Sequence, residues 1–497
     1  MDLTSAQLDR VCGVLLGSAA GDALGAGYEF GSARYGGWPE MIGGGLGGFT
    51  PGEWTDDTAQ AVAIARVAAT GADLRSEEAL DAIAQGFADW YAAGPPDVGI
   101  QTAQVLRLAG PTPTAASMTA AAQRVHESTG RSAGNGSLMR TAPVAVAHLD
   151  DSAGLVAAAM KISALTHHDP MAGEGAALWC LMIRHAVLTG DLPDADACVA
   201  ELEQHLGRPG SVDWRALLVE AASKEPSVFT ENGWVVGAMQ AAWSAIVHTP
   251  VPDDFECRHL QTALATAIGI GHDTDTVAAI AGALLGARWG GSAIPQLWQQ
   301  PLHGWGVDGP RGAAALVRLA VLTVEGGEGR GRNHRGGRWP DIDRMDYRGY
   351  GGEETYVPHP LVDGVWIGGV LPLDDLPEEI DAVVSLCRIG TAQLPAHVES
   401  HVVRLIDTVP ADNPHGGFVI DDAARTVLRL RAEGKRVYLH CVASQSRTPT
   451  VATRVAMLAG HSRQESLDAV IQALPSAQPR RFLVEALEEL ERMGEDR

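Results

Sequence analysis

The chain has 497 residues, enough for two or more domains that each bury a sizeable core. With 37 basic against 61 acidic residues the formal net charge is −24, which excludes a broad surface for nucleic acid or anionic membrane. One basic pocket around a small phosphate ligand is still compatible with that charge.

The first eleven residues, MDLTSAQLDRV, are acidic rather than basic and lack the character of a signal peptide. No run of ~18 apolar residues is free of a charged or polar break, so no membrane span is expected. Residues 6–20 place apolar side chains at helical spacing, and Gly13, Gly17 and Gly21 recur every four residues, which lets a second helix approach closely. Asp22 then reads as a hydrogen-bonding residue at a helix end. Glu29 sits between Tyr28 and Phe30, and residues 31–50 are rich in glycine, a composition suited to a lid.

The segment 52–58, GEWTDDT, opens an apolar-rich helical run with Thr55, Asp56 and Asp57. Further helical patterns follow to about residue 108. Residues 134–137, Gly-Asn-Gly-Ser, form a turn whose backbone N–H groups suit a phosphate. Arg140 follows, either adding charge to that turn or making a surface ion pair. The segment 163–169 ends a helix with His167 and His168. Helical patterns continue from 171 to 325, and among them 269–290, GIGHDTDTVAAIAGALLGARWG, repeats the grammar of TDDT: Asp273, Thr274, Asp275 and Thr276 stand at the start of a tightly packed helix.

A helix cap needs one side-chain oxygen, whereas here four come in a row. Hard oxygens at this density suit Mg²⁺, Mn²⁺ or Ca²⁺ and not zinc. Two such clusters in one chain can converge on a pair of ions about 3.5–4 Å apart. Strand-like alternation is nearly absent from the first 325 residues, so an all-α domain is expected over 1–325. The six cysteines, Cys12, Cys180, Cys198, Cys257, Cys387 and Cys441, show no Cys-x-x-Cys spacing and read as reduced thiols of a cytoplasmic protein.

Residues 326–352 alternate Gly and Arg and read as a linker. From 353 to 497 the grammar changes to α/β order, with strands expected at 365–369, 382–386, 401–405 and 436–440 and helices at 421–433 and 449–459. After the last strand comes His440-Cys441-Val442-Ala443-Ser444-Gln445-Ser446-Arg447-Thr448. Loop N–H groups and a helix N-terminus there make an anion cradle, which favours a Cys441 thiolate, and Arg447 can hold phosphate oxygens.

TDDT, DTDT and GSAAGDALGAGYEF (17–30) together resemble the ADP-ribosylglycohydrolase family. The resemblance implies hydrolysis of the bond between C1″ of ADP-ribose and an amino-acid side chain, most often arginine. It implies two Mg²⁺ or Mn²⁺ ions, with Thr55, Asp56 and Asp57 on one side and Asp273, Asp275 and Thr276 on the other. It makes Glu29 the active-site glutamate, sets Gly134, Asn135, Gly136 and Ser137 against the diphosphate, and puts His167 near the ligand. His272 stands where many relatives have Gly.

Residues 353–490 resemble the cysteine-dependent protein tyrosine phosphatases, closest to the dual-specificity group. This implies that Cys441 attacks phosphorus, that Arg447 stabilises the transition state with Ser446 beside it at the substrate, and that Thr448 assists breakdown of the phosphocysteine. Asp407, or else Asp412, is the general acid. Ser444 departs from the usual Gly. The expected whole is an all-α hydrolase of ADP-ribosylated proteins fused to an α/β phosphatase acting on a phosphorylated substrate, with no nucleic-acid or membrane partner. The alternative is an ADP-ribose or nucleotide sensor joined to a phosphate-binding pseudophosphatase.

Overall fold

The computed structural model describes residues 2–307, 311–327 and 342–495. The chain divides into two compact units, the first built mainly from residues up to 327 and the second mainly from residue 342 onward.

The first unit is helical. The helices that position its site are α1 (Ser5–Gly25), α2 (Asp56–Ala68), α3 (Ser152–Ala164), α4 (Pro170–Thr189), α5 (Val235–His248) and α6 (Thr274–Trp289). Among its described residues β-structure is confined to isolated bridges such as Gly44–Phe49. α1 starts on a capping box in which Thr4 and Gln7 satisfy each other's backbone N–H groups.

The centre of the unit is the crossing of α1 and α6. A Cβ placed on Gly13 would fall 2.2 Å from the Gly286 oxygen, on Gly17 2.2 Å from the Gly282 oxygen, and on Gly21 2.1 Å from the Ala278 oxygen. At Gly25 it would fall 2.5 Å from the Asp275 Cα. The partner numbers fall as the glycine numbers rise, so the helices run antiparallel with their backbones in contact. The stripe of small residues expected to admit a helix therefore admits α6 itself.

Every residue of α6 except Arg288 is buried, as suits a helix that is apolar on all sides. The segment Ser5–Gly31 has the length and hydropathy of a membrane span, but its most apolar window is wholly buried inside the protein.

The second unit is a five-stranded sheet in the order β1-β2-β5-β3-β4: β1 (Tyr356–Pro358), β2 (Val365–Gly368), β3 (Ala382–Ser385), β4 (Glu399–Val402) and β5 (Val437–His440). β1 is antiparallel to β2 and the other pairings are parallel. Its helices are α7 (Gly416–Ala432), α8 (Arg447–Leu458), α9 (Arg463–Ala473) and α10 (Arg481–Glu495). β5 is buried throughout, in keeping with its central place.

Three expectations need correction. β1 is an edge strand that ends in Pro358, too short to show a period in the sequence. β4 covers 399–402 rather than 401–405, because its register pairs Glu399 with Ala382 and Val402 with Ser385.

The supposed linker is the third. Its part at 328–341 lies outside the described residues, but 342–352 belongs to the second unit. Tyr347 is 9% exposed in a cluster with Val383, Cys387 and Tyr438, and its hydroxyl donates to the Arg388 carbonyl. The Met345 N–H donates to Gln393 Oε1 at 2.8 Å. All six cysteines are buried and unbridged.

In an exposed helix Gly→Ala gains about 1 kcal/mol. Gly282→Ala should do the opposite, because its Cβ would lie 2.1 Å from the Gly17 oxygen. A loss of about 2 kcal/mol or more is expected from overpacking, measured by denaturant unfolding. A stability gain would refute the backbone contact.

Candidate functional site

The antiparallel crossing brings the C-terminal end of α1 to the N-terminal end of α6. The start of α2 arrives beside them because Asp22, fully buried at the end of α1, binds it. Asp22 Oδ1 accepts from the Thr55 N–H at 2.9 Å, and Oδ2 accepts from the Thr58 N–H at 3.0 Å and the Thr58 hydroxyl at 2.6 Å. Asp22 thus caps α2 from another helix, as the structural reading of that residue holds.

Six acidic side chains gather there. Two trios have ligand oxygens within 4.8 Å of one another: Asp22, Asp57 and Asp275, and Glu29, Asp273 and Asp275. Asp275 belongs to both. Asp273 sits at the N-cap of α6 without a capping hydrogen bond; its Oδ2 accepts instead from Asn135 Nδ2 at 2.7 Å. The first-turn N–H of Thr276 goes to Asp275 Oδ1 at 2.9 Å. The Thr55 hydroxyl donates to Asp57 Oδ2 at 2.9 Å. Asp56 lies in neither trio; its Oδ2 accepts from Gln60 Nε2 at 3.0 Å.

Burial, reinforced by mutual repulsion, pushes Glu29 and Asp56 up to about 8, and drives Asp57 and Asp275 well above the usual carboxylate range. Asp57 Oδ1 is buried with no hydrogen-bond partner. Such a set calls for a positive charge, and its donors are all hard oxygens, so Asp57, Asp275, Asp273 and Glu29 fit a divalent cation.

The sequence reading missed Asp97. It is half-buried in the loop before α-helical residue Ile100, and its charge raises both Glu29 and Asp56. A single Asp in a Pro/Gly loop carries no motif, so no local signal was available.

Beside the acidic cluster is a cavity of about 710 Å³, lined among others by Phe30, Gly134, Asn232, Trp234 and His272. Phe30 and His272 have left-handed φ of 46° and 62°, and the Phe30 N–H donates to the His272 carbonyl at 2.7 Å. Strained backbone thus flanks both Glu29 and Asp273. His272, standing where many relatives have Gly, occupies a conformation that favours glycine.

The turn at 134–137 reaches the cavity wall at Gly134, and its other members are bound inside the protein. The Asn135 N–H donates to the Gly233 carbonyl at 3.3 Å, and its side chain holds Asp273. Ser137 is fully buried and its hydroxyl donates to the Ala172 carbonyl at 3.3 Å, so it braces α4 instead of facing a ligand. Gly134 and Gly136 leave room for the His167 ring; a Cβ on Gly136 would lie 3.1 Å from its Cε1. Burial, with Arg140 nearby, holds His167 down at about 3, so the ring is neutral. Arg140 is neither a phosphate ligand nor a surface ion pair. It is fully buried and stacks 4.4 Å from the Phe87 ring.

In the second unit, residues 441–446 join β5 to α8. His440 is fully buried and held down at about 4 by burial; its Nδ1 lies 3.2 Å from the Cys441 carbonyl and its Nε2 2.8 Å from the Ser385 hydroxyl. Cys441 is buried. Arg447 Nη1 donates to the Leu386 and Leu405 carbonyls at 2.7 and 3.2 Å, tying the loop to β3. Its Nε faces Asp407 Oδ2 at 3.3 Å. Asp407 therefore lies at the loop, whereas Asp412 takes the Thr408 hydroxyl.

Thr448 corrects an expectation. Its buried hydroxyl donates to the Gly368 carbonyl on β2 at 3.2 Å, which removes it from a role at the cysteine. Ser446 Oγ accepts from the Arg480 N–H at 3.0 Å, so its own hydrogen remains available. Ser444 adopts φ of 53°, the conformation for which glycine is usual, and its hydroxyl is buried without a partner.

Residues 3–329 match the sequence model of the family described as ADP-ribosylglycohydrolase. The chain belongs to the ADP-ribosylglycohydrolase family. The family is generally metal-dependent, in keeping with the acidic trios. Among its relatives is ADP-ribosyl-[dinitrogen reductase] glycohydrolase of Rhodospirillum rubrum, 28% identical over 305 residues, 59% of this chain and 90% of the relative. Another is ADP-ribosylarginine hydrolase Tri1 of Pseudomonas putida (strain GB-1), 28% identical over 301 residues, 59% of this chain and 73% of the relative. A solved structure of human DUSP28 matches 29% of this chain and 99% of its own, at 16% identity and a TM-score of 0.26.

If the two trios hold divalent ions, Mn²⁺ at about 100 times its Kd should raise the unfolding temperature by about 5 °C over EDTA. Asp57→Asn should abolish that increment without lowering the stability of the metal-free protein, since it removes a repelled buried carboxylate. Identical melting in Mn²⁺ and EDTA would exclude the site.

Proposed function

We propose that the first unit hydrolyses the glycosidic bond between ADP-ribose and a protein side chain, with arginine the favoured acceptor, using two Mg²⁺ or Mn²⁺ ions. The observation that carries this is the pair of acidic trios sharing Asp275 beside a cavity of about 710 Å³. The names of the bacterial relatives, one acting on ADP-ribosylated dinitrogen reductase and one on ADP-ribosylarginine, support the substrate and the acceptor.

Bound divalent ions would supply positive charge to orient ribose hydroxyls and make a water molecule acidic. Asp56, Asp57, Asp273 and Asp275 are the residues that would hold them, with Thr55 and Thr276 beside them. Asn135 orients Asp273. Glu29, next to Phe30 of the cavity wall, would hold or move a proton at the acceptor side of the bond. Phe30 and Trp234 offer exposed aromatic faces on which a base can stack. His167 supplies a neutral ring nitrogen beside the glycine turn.

For the second unit we propose cysteine-dependent phosphate-ester hydrolysis. Cys441 is the nucleophile, in a loop that ends on the N-terminus of α8, where phosphate is favoured. Arg447 Nη2 remains to take a phosphate oxygen, with Nη1 spent on the two carbonyls and Nε facing Asp407. Asp407 is the general acid, and Ser446 in place of Thr448 provides the hydroxyl beside the loop.

Two measurements follow. Wild-type protein should release ADP-ribose from an ADP-ribosyl-arginine peptide faster than from the serine linkage, with Mg²⁺ or Mn²⁺ but not EDTA, and Asp273→Ala should lower the rate about 100-fold or more. Release that is equal in EDTA, or unchanged in the variant, would sink the reading. Cys441→Ser should abolish hydrolysis of an aryl phosphate by the same chain; equal rates in the two forms would show that Cys441 is not the nucleophile.

A further inference from the structure

We infer that Arg140 is a positioning residue serving both halves of the site at once, holding Asp56 through Gln60 and the His167 ring through Thr166. On one arm, Arg140 Nη1 donates to Gln60 Oε1 at 2.5 Å, and Gln60 Nε2 donates onward to Asp56 Oδ2 at 3.0 Å. On the other, Nη2 donates to Thr166 Oγ1 at 2.6 Å, and Thr166 Oγ1 lies 2.7 Å from His167 Nδ1.

The chemistry of each link sets the direction of the next. A guanidinium only donates, so it takes the oxygen of the Gln60 amide and turns the NH₂ toward the carboxylate. A hydroxyl that accepts from arginine keeps its own hydrogen for Nδ1, which leaves the neutral His167 ring protonated on Nε2. That nitrogen faces the glycine turn: a Cβ on Gly134 would lie 3.4 Å from it. One buried cation therefore aims a donor at Asp56 and a donor at the ligand side.

The burial is itself informative. Arg140 is 0% exposed, and among the described residues no carboxylate pairs with it directly. Its remaining contacts are the Phe87 ring and the Ile162 carbonyl at 3.3 Å, while its Nε makes no hydrogen bond. A guanidinium is costly to desolvate, and methionine would fill the same space if filling space were the whole requirement.

The ligand arm rests on the ADP-ribose reading of the cavity. The test uses the full-length protein and four variants: Arg140→Met, Arg140→Lys, Gln60→Leu and Thr166→Val. Mn²⁺ affinity is read by titration without ligand, ADP-ribose affinity by calorimetry at saturating Mn²⁺, and the His167 tautomer from ¹⁵N spectra of histidine-labelled protein. Thr166→Val should weaken ADP-ribose about tenfold, the scale of one lost hydrogen bond, and shift the tautomer, with Mn²⁺ affinity kept. Gln60→Leu should do the reverse.

Arg140→Met should do both, and Arg140→Lys, which keeps the charge but not the fork, should rescue neither. A folded Arg140→Met with both affinities and the tautomer intact would overturn the inference, and so would a Thr166→Val that loses Mn²⁺ as severely as ADP-ribose. If Arg140→Met does not fold, the two single-arm variants decide by the same criteria. A wild type that binds no ADP-ribose, yet shows an Nε2–H tautomer that Thr166→Val removes, would overturn the substrate reading and leave the relay standing.

Discussion

Backbone contact between α1 and α6 is the constraint on which the helical unit depends. Glycine at 13, 17, 21, 282 and 286 clears side chains from the points of closest approach, so two largely buried helices meet at their main chains. The consequence is chemical as well as structural. Because the pair is antiparallel, the end that carries Asp22 and leads into Glu29 meets the end that carries Asp273 and Asp275. Gly25, which faces the Asp275 Cα, lets that carboxylate lie directly against α1. A bulkier seam would separate the two trios before it disrupted any hydrogen bond within them.

Electrostatics then works against the fold. Six carboxyl groups are drawn into one buried region, where desolvation raises them all and repulsion adds to it at Glu29, Asp56, Asp57 and Asp275. Neutral partners offset part of this. Thr55, Thr58, Asn135 and Gln60 each give a hydrogen bond to a carboxylate, and the N-termini of α2 and α6 point positive helix ends at the cluster. None of these brings a full positive charge. Among the described residues the buried cation Arg140 stands off behind Gln60 and makes no direct pair with a carboxylate of the cluster.

The second unit obeys a different logic. Its loop is held from outside: Arg447 by the carbonyls at 386 and 405, Thr448 by β2, and Ser446 by the Arg480 N–H. The sheet supplies these anchors because β5 lies at its centre, between β2 and β3. Ser444 is the strained point of this loop, with a left-handed backbone and an orphaned hydroxyl.

Much of this was legible in the sequence, and the physical reasons divide cleanly. Periodicity and composition determined the helical first unit, the α/β second unit and the glycine stripe, because each is a local pattern repeated over many residues. The oxygen clusters at 55–57 and 273–276 were visible because acidic groups crowded at a helix start are costly and therefore stand out. The family matched to residues 3–329 agrees with the resemblance those motifs carry.

Only tertiary structure decided which partner each polar group takes. It turned Ser137 and Thr448 into braces, gave Asp22 to the start of α2, drew Asp97 toward Glu29, buried Arg140 behind Asp56, and folded 342–352 into the second unit. Hydrogen-bond partners 22 to 138 residues apart leave no periodic trace in a chain, since the energy that selects them arises only when burial has removed water as the alternative.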